Sequence, residues 1–199
     1  MTLRRSVYLL LASLLVLAAS IAGYRTGRAV ADRDAGSAPA EGGTTQGDRL
    51  VARTSDWLEI PLPDQPFLSL DGDTVRLDVY RGRILLLNFW GTWCPPCLAE
   101  IPHLVRVQER LEEMGGTIVG PAIGSGTPEA IRAFMDAHRI NYPVWIGSDE
   151  VAVRRFGVAG YPFTLLVDPD GVIRRTYLGP QTEETLMRDV EALAAGAAG

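Results

Sequence analysis

The chain has 199 residues, 47% hydrophobic and 22% charged, enough to bury a core in one domain of the usual ~100–200 residues with sequence to spare. A formal net charge of −5 excludes the basic face on which nucleic-acid binding rests, so no nucleic acid is expected as a partner. All 19 basic side chains are arginine, which excludes Schiff bases, phosphate-loop lysines and serine-lysine dyads, and only His103 and His138 remain for imidazole general-base work.

In chain order, residues 1–30 come first. Arg4 and Arg5 precede VYLLLASLLVLAASIAGY, an apolar stretch from Val7 to Tyr24. It sits at the lower edge of a spanning helix and exceeds the ~7–15 residues of most signal-peptide cores. Two readings stay open. One is an uncleaved anchor in the cytoplasmic membrane, its N-terminus held inside by the paired arginines. The other is a signal segment cut near the SIA before Gly23. Either way the rest of the chain is expected outside the cytoplasm, and lipoprotein anchoring is excluded because no cysteine follows the apolar run. Residues 31–56, rich in Gly, Ala, Ser, Thr and charge, are expected to be a flexible tether, since they bury too little surface to offset their ordering entropy.

Residues 57–199 form the expected folded domain, without internal repeats. FLSLDGDTVRL reads as two short strands around a DGD turn. ILLLNFW, Ile84 to Trp90, is the continuous apolar run of a strand buried on both faces. Leu98, Ile101, Leu104, Val105 and Leu111 recur at helical spacing and stop before Gly115 and Gly116. TIVGPAIG reads as a strand. Thr127 with Pro128 and Glu129 starts a helix whose apolar face carries Ile131, Phe134 and Met135. YPVWIG and FTLLVD read as strands, DPDG as the turn into the strand VIRRTYLG, and Thr182 with Glu183 and Glu184 as the cap of a last helix carrying Leu186, Val190 and Leu193. The alternation predicts a central mixed sheet covered on both faces.

Both cysteines of the chain lie in NFWGTWCPPC, between a strand and a helix. That places Cys94 at a helix N-terminus, where free backbone N–H groups and the macrodipole favour a thiolate, which makes Cys94 the expected nucleophile. Pro95 and Pro96 stiffen the first turn, where a missing N–H costs nothing. Cys97, three residues on, is placed to close a disulfide with Cys94 or to resolve a mixed disulfide formed there. So small a loop adds little stability, so the spacing favours redox exchange over a structural bridge. A structural zinc site would need two more ligands, and inert buried thiols have no use for a helix N-terminus.

NFWGTWCPPC, followed by GYPFTLLVDPDG, resembles the thioredoxin superfamily, and the apolar N-terminus with LDGDTVRL and CLAEIP is similar to its TlpA/ResA group of exported disulfide reductases. The resemblance covers about Trp57 to the C-terminus. It implies an α/β thioredoxin-like fold, a central mixed β-sheet flanked by helices on both faces, with an extra N-terminal β-hairpin and a central insert that contains IGSGTPEAIRAF. It implies no cofactor beyond the redox-active Cys94–Cys97 disulfide. Pro162 matches the family's cis-proline, the backbone of Tyr161 is expected to pair with an extended substrate, and Trp93, Pro95 and Pro96 complete the substrate-binding rim. Glu100 matches an acid that this group uses to tune the pKa of Cys97 and shuttle its proton. Asn88 stands where cytoplasmic thioredoxins carry a buried aspartate, so that route for the proton is lost. Pro102 matches the proline that kinks the helix behind the active site. His103 and His138 read as surface or helix-end residues.

The implied activity is thiol-disulfide exchange outside the cytoplasmic membrane in the reducing direction. The implied clients are disulfide-bearing proteins such as apocytochrome c, and the implied donor is a membrane electron carrier of the CcdA or DsbD kind. Alternatives are a copper-site thiol reductant or Cu(I)-handling protein for oxidase assembly, since soft thiolates suit Cu(I), although the chain has only four methionines and no Met-rich cluster. A peroxidase of the same broad fold would want a threonine three residues before its cysteine and a distant resolving cysteine, whereas Thr92 is two before Cys94.

Overall fold

The structure is a computed structural model that describes residues 57–196. The anchor or signal expected at residues 1–30 and the tether at residues 31–56 lie outside the described residues. Among the described residues no helix is long and apolar enough to cross a membrane.

Eight strands form one sheet: β1 (Ile60–Pro61), β2 (Pro66–Ser69), β3 (Thr74–Arg76), β4 (Leu85–Phe89), β5 (Thr117–Ile123), β6 (Val144–Gly147), β7 (Phe163–Val167) and β8 (Val172–Leu178), in the order β1-β8-β7-β4-β5-β6-β2-β3. The helices are α1 (Pro95–Glu113), α2 (Pro128–His138), α3 (Asp149–Phe156) and α4 (Glu183–Ala194), with a 3-10 turn at Leu77–Tyr80. The central strands β4, β5 and β6 run parallel, and α1 and α2 make the crossovers between them. β7 pairs antiparallel with β4, and β8 pairs antiparallel with β7 across the turn at Asp168–Gly171, where the Asp168 carboxylate accepts from the N–H groups of Asp170 and Val172. This is the expected mixed sheet with helices on both faces. The β2–β3 pair around Asp71-Gly72-Asp73 is the expected extra hairpin, and it joins the sheet by pairing with β6. The IGSGTPEAIRAF segment folds as the end of β5, a loop and the first turns of α2.

Strand alternation divides the core into two layers. Leu86 of β4 and Trp90 just beyond it face the layer that holds Ile101, Leu104, Val107 and Leu111 of α1, Ile131 of α2 and Leu186 and Val190 of α4. Leu85, Leu87 and Phe89 face the other layer, with Ala152 and Phe156 of α3. A strand walled on both sides has no polar face, which is why β4 reads as an unbroken apolar run. The exception is Asn88, which the same alternation turns toward α1.

Helix ends follow their caps. Thr127 accepts from the Ala130 N–H and Thr182 from the Thr185 N–H, as the sequence predicts. Two elements differ from the sequence reading. α3 was not expected, yet Ser148 caps it by accepting from the Val151 N–H, two acids fill its first turn and Gly157 closes it at φ 68°. β1 is only two residues long, and it forms because β8 offers an open edge.

Leu87 has no exposed surface and sits at the centre of the sheet. Leu87→Ala is expected to lower unfolding stability by about 2–5 kcal/mol, read from the midpoint of a denaturant titration with the far-ultraviolet circular dichroism of the native state unchanged.

Candidate active site

The site is built where β4 runs out. Trp90 makes a last bridge to Ala122 of β5, and the chain then turns through Gly91, Thr92 and Trp93 into α1. Gly91 is required by close approach: a Cβ there would lie 2.7 Å from the Trp93 indole nitrogen. The Trp93 indole N–H donates to the Ile123 carbonyl at 2.9 Å, and the Thr92 N–H donates to Ser125 Oγ at 3.1 Å, so the loop after β5 pins the turn before the cysteines.

Cys94 is the N-cap residue of α1, and the structure shows it disulfide-bonded to Cys97 with the Cα atoms 5.3 Å apart. Pro95 and Pro96 occupy the first two helical positions and carry no N–H. The first amide available at this helix end is therefore that of Cys97, and it donates to Cys94 Sγ at 3.3 Å. A helix N-terminus normally spreads its free N–H groups over several acceptors, but the prolines leave this one donor aimed at one sulfur. The arrangement favours negative charge on Cys94.

The surroundings of the disulfide are exposed and apolar. Trp93 is 56% exposed, Pro95 and Pro96 are exposed, and the Trp93 ring meets Tyr161 edge to face at 5.8 Å. The Tyr161–Pro162 peptide bond is cis. The Tyr161 hydroxyl donates to Asp149 at the start of α3 at 2.7 Å, and burial together with that carboxylate pushes its pKa up. The Pro162 carbonyl accepts from the Gly179 N–H at 2.9 Å, which ties the proline loop to the end of β8. Leu178, 51% exposed and paired with Phe163 across the ladder, adds apolar surface that the sequence reading missed. Two grooves of about 410 and 260 Å³ lie elsewhere, against the β2–β3 hairpin and beneath Tyr80 and Arg81. The side chains around the disulfide thus present exposed apolar surface that a protein segment can cover.

Behind the cysteines lies a polar cluster. Glu100 is 1% exposed, on the second turn of α1. Its Oε1 accepts from the Gln181 backbone N–H at 2.8 Å and its Oε2 from Asn88 Nδ2 at 3.1 Å. Asn88 Nδ2 also donates to Thr164 Oγ1 at 2.8 Å, and the β4–β7 register sets Asn88 directly opposite Thr164. Burial pushes the Glu100 carboxyl up to about 7, against the downward pull of the hydrogen bonds from Gln181 and Asn88. Nearby Tyr142 is buried, and desolvation followed by the Glu100 charge pushes its hydroxyl up. Of this cluster, sequence reading singled out Asn88 and Glu100 and missed Thr164, Tyr142 and Gln181. A signal for Thr164 existed, since it is a polar residue in an apolar strand that follows Pro162.

The remaining candidates stand apart from the cysteines. Pro102 lies inside α1. His103 Nδ1 accepts from Arg106 at 2.9 Å beside α4, and His138 stacks on Phe134 at 4.1 Å at the end of α2. Among the described residues no group of three or more His, Cys, Asp or Glu is placed to hold a metal ion.

Residues 59–176 match the AhpC/TSA family. The thiol-disulfide oxidoreductase ResA of Geobacillus thermodenitrificans is 30% identical over 132 residues, which cover 66% of this chain and 75% of that protein. The crystal structure of a thiol:disulfide interchange protein of the thioredoxin family from Chlorobium tepidum is 29% identical with a TM-score of 0.60, covering 73% of this chain and 100% of the other. A DsbF homologue from Corynebacterium diphtheriae is 25% identical with a TM-score of 0.61, covering 79% and 98% respectively.

Burial of Glu100 makes stability depend on pH. The unfolded chain ionises this carboxyl from about 4.5 and the folded one only near 7, so across that window the folded state binds more protons and loses stability as pH rises. The cost of holding the charge above that window is about 3 kcal/mol. Glu100→Gln in the oxidised protein is expected to flatten the fall in unfolding free energy between pH 5 and 8 and to exceed the wild type at pH 8. An unchanged slope would place the titrating group elsewhere.

Proposed function

The chain belongs to the AhpC/TSA family and is a thioredoxin-like thiol-disulfide oxidoreductase of the ResA type, and on that premise we propose that it reduces the disulfides of client proteins outside the cytoplasmic membrane. The observation that carries the reading is the single Cys97 N–H aimed at Cys94 Sγ, with the buried Glu100 one turn further along the same helix.

In this mechanism Cys94 attacks a client disulfide as the thiolate. A Cys94–client mixed disulfide forms, and one client sulfur leaves as a thiolate that takes up a proton. Glu100 accepts the proton of Cys97, and the Cys97 thiolate attacks Cys94 Sγ, which releases the second client sulfur and closes the Cys94–Cys97 disulfide. Two electrons have passed to the client. A dithiol donor of the CcdA or DsbD kind returns them by the same exchange in reverse. The client lies extended along the backbone of Tyr161 and Pro162, against Trp93, Pro95 and Pro96. Its class is the cysteine pair of a protein such as apocytochrome c before haem attachment. The N-terminal segment, residues 1–30, holds the domain at the outer face of the membrane or exports it.

The reduction potential tests the direction of exchange. Equilibration of the protein with dithiothreitol or glutathione buffers and thiol counting is expected to give a value near or below the ~−270 mV of thioredoxin. A value near the ~−120 mV of strong exported oxidants would make it a disulfide-forming protein instead. Cys97→Ser is expected to accumulate the mixed disulfide with a client peptide on non-reducing gels, and Cys94→Ser to form none.

A further inference from the structure

We propose that Asn88 is a positioning residue that fixes Glu100 Oε2 as the oxygen that carries the exchanging proton, by turning its amide to suit either state of the carboxyl. This rests on the reading of Glu100 as the proton carrier.

The two oxygens of Glu100 face unlike partners. Oε1 accepts from the backbone N–H of Gln181 at 2.8 Å. A backbone N–H is a donor only and offers no acceptor to a proton on Oε1, so the proton is better paired on Oε2. Oε2 faces the side-chain amide of Asn88, which carries a donor on one branch and an acceptor on the other. With Glu100 charged, Nδ2 donates to Oε2 at 3.1 Å and to Thr164 Oγ1 at 2.8 Å. Asn88 Oδ1 is then buried with no hydrogen-bond partner among the described residues.

That orphaned oxygen is the unusual feature, because buried polar atoms are nearly always paired. Half a turn about the Cβ–Cγ bond exchanges Oδ1 with Nδ2. In the turned state Oδ1 accepts from a protonated Oε2, and the Thr164 hydroxyl, which donates as readily as it accepts, donates to the same oxygen. Neither orientation pairs the whole amide, so the proton on Glu100 decides between them. An aspartate at this position would offer acceptors only and compete for the proton. A leucine would offer nothing.

The groups that face Glu100 are few. Cys97 precedes it by one turn of α1, Asn88 comes from β4, Thr164 from β7 and Gln181 from the loop into α4. Tyr142, just before β6, is the remaining titratable neighbour; its buried hydroxyl stays protonated and feels the Glu100 charge. Of the side chains among these, the Asn88 amide is the one hydrogen-bonded to the carboxyl.

The test compares Asn88→Ala and Asn88→Asp in the wild type and in the Glu100→Gln background. Two readouts are used: the carboxyl-carbon NMR titration of Glu100, and the pH dependence of oxidation of the reduced protein by oxidised glutathione. Asn88→Ala removes a donor to the charged form and is expected to move the Glu100 midpoint up by about half a pH unit. Asn88→Asp sets two carboxylates on one site and is expected to move it by more than about one unit. The acid limb of the rate profile should move in parallel, and that movement should vanish in the Glu100→Gln background. Asn88→Asp keeps the shape of the side chain, so it serves if the alanine variant fails to fold. A midpoint that stays put in the variants, or a change in the rate profile that persists without Glu100, would reduce Asn88 to a core residue and overturn the proposal. A Glu100→Gln protein whose rate profile matches the wild type would instead overturn the reading of Glu100 itself, and the NMR midpoint would still judge Asn88.

Discussion

One hydrogen bond organises this molecule around its chemistry: the Cys97 N–H held toward Cys94 Sγ at the N-terminus of α1. It exists because β4 ends inside the sheet and the chain must turn at once into a helix. Two prolines strip that helix end of competing donors without breaking it. The turn is held from outside by Trp93 and Thr92 on the loop after β5. The sheet thus serves the sulfur: parallel neighbours on one side of β4 fix the loop that anchors the turn, and antiparallel β7 on the other side supplies the Tyr161–Pro162 loop beside it.

The second constraint is a cost the fold accepts. A carboxyl inside an apolar layer is disfavoured as the anion, and the layer that holds Glu100 is built mainly from leucine, isoleucine and valine with Trp90, Met187 and two tyrosines. Asn88, Thr164 and the Gln181 N–H partly offset the burial, which is why the group titrates near neutral pH rather than staying protonated throughout. A carboxyl poised there can give or take a proton near neutral pH. The same cluster ties α1 to β4, β7 and the loop into α4, so Glu100 also marks where the elements meet.

Much of this was legible along the chain. Capping residues and apolar periodicity are local, so α1, α2, α4, the hairpins and the buried strands can be read directly, and the strand-to-helix junction at NFWGTWCPPC places Cys94 at a helix N-terminus. α3 carried a readable cap at Ser148 and stop at Gly157, but its eight residues sit in a stretch too short for periodicity to stand out. β1 left no readable mark. Two residues pair there only because β8 lies beside them.

The sequence by itself determined the Cys94–Cys97 pair at a helix N-terminus and the layering of the fold, because these depend on residue type and short spacing. Tertiary structure alone decided what surrounds Glu100. Asn88 meets Thr164 through the β4–β7 register, and Gln181 reaches Glu100 from 81 residues away. Such contacts are set by how strands pair and where a loop closes, and no local pattern in the chain encodes them.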